Sequence, residues 1–268
     1  MKLAVLNVAK TELSKKEVPA QFAEEIRPDI IKRAVEKLQA ERRQPYGAMP
    51  GAGQRASAKI SRRRHNYKGS YGHGISRVPR KILSHRGTQF NWAGAVAPGT
   101  VGGRRAHPPK AEKIWSIKIN KKENRKAIRS AMAATLVKEL VEKRGHKVPD
   151  NYPFVVESKF EDLDKTKEVR NALEKLGLKA ELTRSSKRKI RPGKGKLRGR
   201  KYKTKKGPLL VVSKNCNVMR AARNILGIDI VEVNKLNAEL LAPGNDIGRL
   251  TIFTESSIDR LQKEKLFM

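Results

Sequence analysis

Acidic residues are missing from a long part of this chain. Between Arg42 and Ala111, seventy residues include fifteen Lys or Arg and neither Asp nor Glu. A surface that needs only to be soluble mixes both signs of charge. An entirely positive stretch repels itself and needs a dense anionic partner to become ordered. Nucleic acid is the common partner with enough charge to surround a stretch of this length.

The chain also has only one cysteine and no long apolar run, and both features exclude classes of protein. The only cysteine is Cys216, which excludes an intramolecular disulfide and fits a reducing compartment. No run approaches eighteen apolar residues, so no membrane-spanning segment is predicted. The apolar run at the N-terminus is broken at Asn7 and has no typical cleavage site after it, which favours a buried strand over a signal peptide. A cytoplasmic protein is predicted.

Positive charge is concentrated in two segments. A second acid-free run, Arg184–Lys206, has thirteen basic residues among twenty-three. The two segments together hold 28 of the 35 net positive charges, and the other 175 residues have a net charge of only +7. We therefore predict a globular body formed by residues 1–43 and 112–268, a basic loop at 44–111, and a basic insertion at 184–206 within the body.

Short apolar strands alternate with helices in the body. The strands are predicted at Leu3–Val8, Phe154–Glu157, Leu209–Val212, Ile228–Val233 and Leu250–Thr254. The helices are predicted after Arg27 and at Asn120–Arg144, Lys165–Leu176, Asn217–Leu226, Asn234–Leu241 and Ser256–Lys265. This alternation predicts an α/β fold, a parallel sheet flanked by helices with Rossmann-like topology. From Gln44 to Pro109, eleven Gly, six Pro and no sustained periodicity predict a long extended loop.

The sequence lacks the motifs of common enzymes. The glycines at Gly51–Gly53 and Gly69–Gly74 match neither a dinucleotide fingerprint nor a Walker A loop. Four histidines in the loop are widely spaced and have no Cys nearby, unlike zinc ligands: His65, His73, His85 and His107. The acids Glu161, Asp162 and Asp164 directly precede a helix, where they offset its dipole. We predict no enzymatic activity, cofactor, metal or small-molecule substrate.

Basic residues in the loop are interleaved with aromatic ones, a pattern that suits phosphate contact combined with stacking on unpaired bases. Between Arg42 and Ala111, Arg outnumbers Lys by eleven to four, and the Arg fork suits phosphate. Tyr67 and Tyr71 favour RNA contact, whereas packing within the loop and RNA contact are equally open for Phe90–Trp92. The predicted RNA-binding residues are Arg55, Lys59, Arg62, Arg63, Arg64, Lys68, Arg77, Arg80, Lys81, Arg86, Arg104, Arg105, Lys110, Lys187, Arg188, Lys189, Arg191, Lys194, Lys196, Arg198, Arg200 and Lys201.

Several motifs in the same order resemble one known family. They are Lys68-Gly69-Ser70, Arg77-Val78-Pro79-Arg80, Gly102–Lys110, Arg191–Lys196, Leu241-Ala242-Pro243-Gly244 and Gly248-Arg249. With them, nearly the whole chain resembles the ribosomal protein L-four family of the large subunit, in its archaeal and eukaryotic branch. The chain has no long basic tail after its last helix, which favours an archaeal member.

The resemblance implies a structural constituent of the large (50S) ribosomal subunit, located in the cytoplasm. Its expected partners are large-subunit (23S-type) ribosomal RNA, neighbouring ribosomal proteins including L-twenty-two, and the nascent polypeptide. The family's loop supports subunit assembly, and its tip forms part of the polypeptide exit tunnel wall. Carried over by motif, that tip is Lys68, Gly69, Ser70, Tyr71, Gly72 and His73, with a Tyr or His where the family has a basic residue.

Two other functions compete with this interpretation. An RNA-modifying enzyme on an α/β body would have a glycine-rich turn after its first strand, but Ala9-Lys10-Thr11-Glu12 follows here. A general RNA- or DNA-binding protein, such as one that compacts DNA, would bind duplex DNA and folded RNA with comparable affinity.

Overall fold

The computed structural model describes all residues from 1 to 268, which form two compact units. One unit comprises Met1–Arg42 and Ser116–Met268, and the other comprises Arg43–Trp115. The ten strands are β1 (Lys2–Leu6), β2 (Glu12–Glu17), β3 (Arg80–Arg86), β4 (Gln89–Gly94), β5 (Phe154–Val156), β6 (Arg188–Ile190), β7 (Tyr202–Thr204), β8 (Leu209–Val212), β9 (Asp229–Glu232) and β10 (Thr251–Thr254). The eight α-helices are α1 (Pro28–Glu41), α2 (Lys121–Leu136), α3 (Lys138–Lys143), α4 (Thr166–Leu173), α5 (Lys179–Ser186), α6 (Asn217–Arg223), α7 (Ala238–Leu241) and α8 (Glu255–Lys263).

The larger unit is built on a six-stranded mixed sheet in the order β2-β1-β5-β10-β8-β9. Five strands are parallel, but β2 pairs with β1 in antiparallel register. The α/β class is therefore confirmed, but the sheet is mixed where the sequence predicts a parallel one. The strand order also differs from the 3-2-1-4-5-6 order of a dinucleotide-binding fold, so the Rossmann-like topology is not confirmed.

Helices cover both faces of this sheet. Alternate side chains of a strand point to opposite faces, and along β8 Leu209 and Val211 join one core while Leu210 and Val212 join the other. The first core includes α1, α2, α7 and α8, and the second includes α4, α5 and α6. All four residues of β8 are buried, which explains why this strand reads as a continuous apolar run.

Strand β2 is not among the strands predicted from the sequence. Its sequence, Glu-Leu-Ser-Lys-Lys-Glu, has no apolar alternation, and its residues are exposed or half-buried at the edge of the sheet. Charged side chains on an edge strand discourage pairing with another molecule. Because most of its residues are polar or charged, β2 has no hydrophobic pattern by which the sequence could predict it.

The helix predicted over Asn120–Arg144 is two helices. The chain leaves helical geometry at Val137, with φ −86° and ψ 105°, between α2 and α3. The Tyr152 hydroxyl donates to the carbonyl of Thr135, and the Thr135 hydroxyl donates to Met132. The last turn of α2 is thus bonded to Tyr152, a side chain from outside the helix. Hydrophobic periodicity does not reveal such a contact.

Two other helix predictions need correction. Helix α4 ends at Leu173, and a wide turn over Glu174–Leu178 contains Gly177 at φ 94°; the chain then resumes a helix as α5, which was not predicted. The helix predicted at Asn234–Leu241 begins only at Ala238, because the Asn237 side chain caps it by accepting from Leu240 N at 2.8 Å. None of the helices combines the length and the apolar character needed to cross a bilayer.

A buried arginine holds three parts of the larger unit together. Arg249, whose side chain is 1% exposed, donates to the carbonyls of Gly207 and Leu240 at 3.0 and 2.9 Å. It also donates to Asp229 Oδ2 at 2.6 Å. Burial alone would raise the pKa of the Asp229 carboxyl, but Arg249 and Lys206 lower it overall. Arg249 therefore links the end of the basic insertion to β9 and α7.

Arg249→Met should lower the free energy of unfolding by about 3–5 kcal/mol, because Asp229 and two carbonyls lose a buried partner. Urea unfolding followed by circular dichroism measures this change. Arg198→Met is the matched control: Arg198 is exposed and its side chain has no hydrogen bond or ion pair, so a change within about 0.5 kcal/mol is expected. A loss below about 1 kcal/mol for Arg249→Met would contradict this role.

Candidate RNA-binding surface

The unit Arg43–Trp115 does not neutralise its own charge. It contains fifteen Lys or Arg and one acid, Glu112. Every ion pair of the protein lies among residues 1–42 and 116–268. The cations of this unit are thus available for an external anion.

Aromatic rings take the place of carboxylates beside several of these cations. The Arg43 guanidinium lies 3.8 Å and the Lys113 ammonium 4.4 Å from the ring centre of Trp115. Arg80 lies 5.1 Å from the Trp92 ring, at cation–π distance. Three more such contacts join Arg43 to Tyr46, Lys68 to Tyr67, and Arg77 to Tyr71. A ring face holds a cation in place but leaves its charge intact.

A β-hairpin lies within the segment predicted to be an extended loop. Strands β3 and β4 pair in antiparallel register around a turn with Gly87 at φ 56°. Phe90 and Trp92, both on β4, stack at 4.8 Å, and Tyr67 meets Phe90 edge-on at 5.2 Å. Phe90 and Trp92 therefore pack within the loop, which was one of the two possibilities left open for them. An irregular register between Ile82 and Ser84 interrupts the pairing, which weakens any period of two in the sequence.

The predicted tip is shaped by backbone turns and by one arginine. Lys68, Gly72 and Gly74 have φ values of 62°, 77° and 65°. Arg80 is buried and donates to the Ser76 carbonyl, and its Nη1 lies 3.5 Å from Ser70 Oγ. Its guanidinium is thus engaged within the chain, which makes Arg80 the least available of the predicted RNA-binding residues.

The other predicted RNA-binding residues are largely on the surface. Eighteen of the twenty-two are exposed, whereas Lys68, Arg104 and Arg191 are half-buried and Arg80 is buried. His65 and His73 line an open cleft with Tyr67 and Phe90. Sequence reasoning missed Arg43, Lys113 and Trp115, because they lie outside the predicted loop 44–111 or at its margin. The basic residues on either side of Trp115 in the sequence could have indicated that it belongs to the candidate surface.

The basic insertion 184–206 contains a second, smaller hairpin. Strands β6 and β7 pair in antiparallel register, and none of their residues is buried. The Tyr202 ring lies 6.0 Å from Arg188 and 5.6 Å from Lys201. The insertion therefore repeats the arrangement of the larger basic unit, with exposed cations placed against a ring.

A buried carboxylate holds the start of this insertion. Glu181 is fully buried and accepts from Arg184 Nη2 at 2.6 Å, from Lys147 N at 2.9 Å, and lies 2.7 Å from His146 Nδ1. Arg184 Nη2 also donates to the carbonyl of Lys206 at 2.7 Å, which joins the two ends of the insertion. Burial would raise the pKa of Glu181, but Arg184 and His146 lower it to about 2.

Glu161 serves the fold in a similar way. Its carboxylate is buried and accepts from Ser213 N at 2.9 Å and from Ser213 Oγ at 2.6 Å. The Thr254 hydroxyl donates to the same carboxylate. Glu161 thereby ties the ends of β8 and β10, so this member of the acidic cluster Glu161–Asp164 has a structural role.

Comparison with known proteins gives a consistent result. The model of the ribosomal protein L4/L1 family matches residues 16–264. A protein named large ribosomal subunit protein uL4 from Nanoarchaeum equitans is 49% identical over 268 residues, all of both chains. Proteins of the same name from Archaeoglobus fulgidus and Methanocaldococcus jannaschii are 47% and 46% identical, over 97% and 98% of this chain and 98% and 99% of their own length.

The contribution of Glu181 to stability should depend on pH. Because the pKa of Glu181 is about 2 in the folded state and roughly 4.3 in the unfolded chain, its stabilising effect is complete above the unfolded value. It is lost as pH falls toward 2. Glu181→Gln should therefore lower the free energy of unfolding by about 3 kcal/mol at pH 7, and the difference from the native chain should shrink by about half at pH 3.

Urea unfolding at both pH values measures this difference. Glu142→Gln is the control, because Glu142 is exposed in α3 and its only ion pair, with Lys138, is 4.0 Å long. A difference for Glu181→Gln that stays constant between pH 7 and pH 3 would contradict the assignment.

Proposed function

This chain belongs to the ribosomal protein L4/L1 family, and we propose that its two acid-poor segments bind large-subunit ribosomal RNA. Membership confirms the resemblance drawn from the sequence, and the archaeal relatives confirm the archaeal branch. The family also makes the chain a structural constituent of the ribosome and not an enzyme. An RNA-modifying enzyme on an α/β body is therefore no longer a competing function.

The main support for this proposal is the lack of carboxylates to balance the positive charge of Arg43–Trp115. Fifteen cations in Arg43–Trp115 share a single acid and no ion pair, so phosphates are the natural replacement for the absent carboxylates. Each phosphate neutralised by Lys or Arg releases a condensed counterion, which drives association. The exposed cations of 184–206 contribute by the same mechanism.

The mode of recognition follows from the side chains. Arg forks bind phosphate in a bidentate manner and stack on bases, and the exposed Tyr rings offer surfaces for unpaired bases. Double-stranded RNA is bound mostly through its shape, its 2′-hydroxyls and its phosphates. The protein thus contacts the RNA without reading a sequence code, and it supports subunit assembly by placing fixed cations between RNA helices.

The tip residues Lys68–His73 form part of the polypeptide exit tunnel wall in this proposal. Tyr71 is exposed, and the Arg77 guanidinium lies 5.6 Å from its ring. These groups face the nascent polypeptide, and ribosomal protein L-twenty-two lies nearby. The protein acts on the cytoplasmic ribosome, with neighbouring large-subunit proteins as further partners.

Deleting Ala48–Pro98 should leave the body folded, because both hydrophobic cores lie outside that segment. The variant should fail to support normal subunit assembly, because it lacks ten of the basic residues. Circular dichroism measures the folding, and sucrose-gradient profiles of cells that depend on the variant measure the assembly. Normal assembly with an unchanged tunnel would contradict the proposal.

A second prediction concerns salt. Replacing Lys187, Arg188, Lys189, Lys194 and Lys196 with Gln should reduce the slope of log K against log salt concentration by about 4. Filter binding to large-subunit ribosomal RNA at several salt concentrations measures this slope.

The control changes the same charge elsewhere. Lys2, Lys10, Lys15, Lys175 and Lys179 are exposed on the body, and their replacement with Gln should leave the slope nearly unchanged. Equal changes in both variants would favour the remaining alternative, a general nucleic-acid binder. That alternative also predicts equal affinity for duplex DNA and folded RNA.

A further inference from the structure

An open cleft of about 770 Å³ lies in the unit Arg43–Trp115, and we call it the neck cleft. Its walls include Tyr46, Arg105, His107, Pro108, Pro109 and Trp115. The volume lies within the range of pockets that hold small ligands. Most of these residues were not among the predicted RNA-binding set.

One wall of the neck cleft is an aromatic platform. The rings of Tyr46 and Trp115 stack with centroids 5.7 Å apart and planes 21° from parallel. Tyr46 remains 49% exposed, so part of its ring surface is open to a flat ligand. Trp115 is half-buried behind it and fixes its orientation.

Cations surround this platform. Arg43 and Lys113 lie against the Trp115 ring at 3.8 and 4.4 Å, and Arg105 and Lys110 line the cleft with exposed side chains. Glu112 is the only acid at the cleft. A ligand that fits must therefore carry negative charge next to a planar ring.

We propose that the neck cleft binds one unpaired RNA nucleotide, with its base stacked on Tyr46 and its phosphates beside Arg105 and Lys113. This proposal rests on the proposed function and assigns a specific site to it. Base–aromatic stacking contributes most where a base is unpaired, because paired bases in a duplex do not expose their faces. An acidic peptide would satisfy the cations but would leave the aromatic platform unused.

The two tryptophans of the chain provide a direct test. Both lie in this unit, so Trp92→Phe leaves Trp115 as the only indole, while Phe preserves the stack on Phe90. The full chain with this substitution is titrated with single-stranded hexauridylate, and Trp115 fluorescence is followed. Saturable quenching is expected. Tyr46→Ala should weaken the apparent affinity about tenfold, within the range for loss of one stacked base.

Two control variants test whether the effect is specific to the aromatic ring at Tyr46. Tyr46→Phe keeps the ring and should retain the affinity. Tyr202→Ala removes a tyrosine of similar exposure, 51%, from the basic insertion and should not change the Trp115 titration. Because each affinity comes from the shape of its titration curve, a change in the starting emission of Trp115 does not affect the comparison.

Three results would overturn the proposal: no response to hexauridylate, equal affinity of the Trp92→Phe chain with and without Tyr46→Ala, or an equal response to hexaglutamate. Filter binding of the same variants to large-subunit ribosomal RNA is measured in parallel. If that binding remains selective while the Trp115 response fails, only the neck cleft assignment is wrong. If selective binding to large-subunit RNA is absent, the proposed function itself fails.

Discussion

The structure depends on one electrostatic constraint: an acid-poor stretch of chain cannot cancel its own charge. Elsewhere the protein pairs its charges, for example Arg129 with Glu24 and Lys16 with Asp259. In Arg43–Trp115 and along 187–203 no cation pairs with a carboxylate, and several lie against aromatic rings instead. A cation–π contact contributes about 0.5–1 kcal/mol at an exposed site and removes no charge, so an external polyanion has to complete the balance.

The larger unit supplies what the basic segments lack. Its sheet has two hydrophobic cores, and its buried charges are held by an ion pair or, like Glu161, by hydrogen bonds. Glu181 with Arg184, and Asp229 with Arg249, hold the two ends of the basic insertion where it leaves the body. Removing one partner of such a buried pair is costly. These ion pairs fix both ends of the basic insertion, so the residues between them can remain exposed without ion pairs of their own.

The sequence was most informative where hydrophobic burial decides the structure. Strand β8 matches its predicted bounds, because burial on both faces produces an unbroken apolar run. The sequence was least informative where single polar contacts decide. Beside the break at Val137, the Tyr152 hydroxyl donates to the last turn of α2, and the charged strand β2 carries no apolar pattern. Among the candidate site residues, charge composition indicated which segments to examine, but it did not show that Arg80 is buried or that Trp115 forms a cleft.

Mapping of RNA–protein crosslinks in cell extract would show directly which residues of the protein contact RNA. We expect the crosslinked peptides to come from residues 43–115 and 184–206, and their RNA to be large-subunit ribosomal RNA. The exposed lysines of the body, such as Lys2 and Lys175, serve as an internal reference because they are accessible and basic. Crosslinks concentrated on the body, or scattered over unrelated RNA and DNA, would contradict the claim that the two acid-poor segments bind ribosomal RNA.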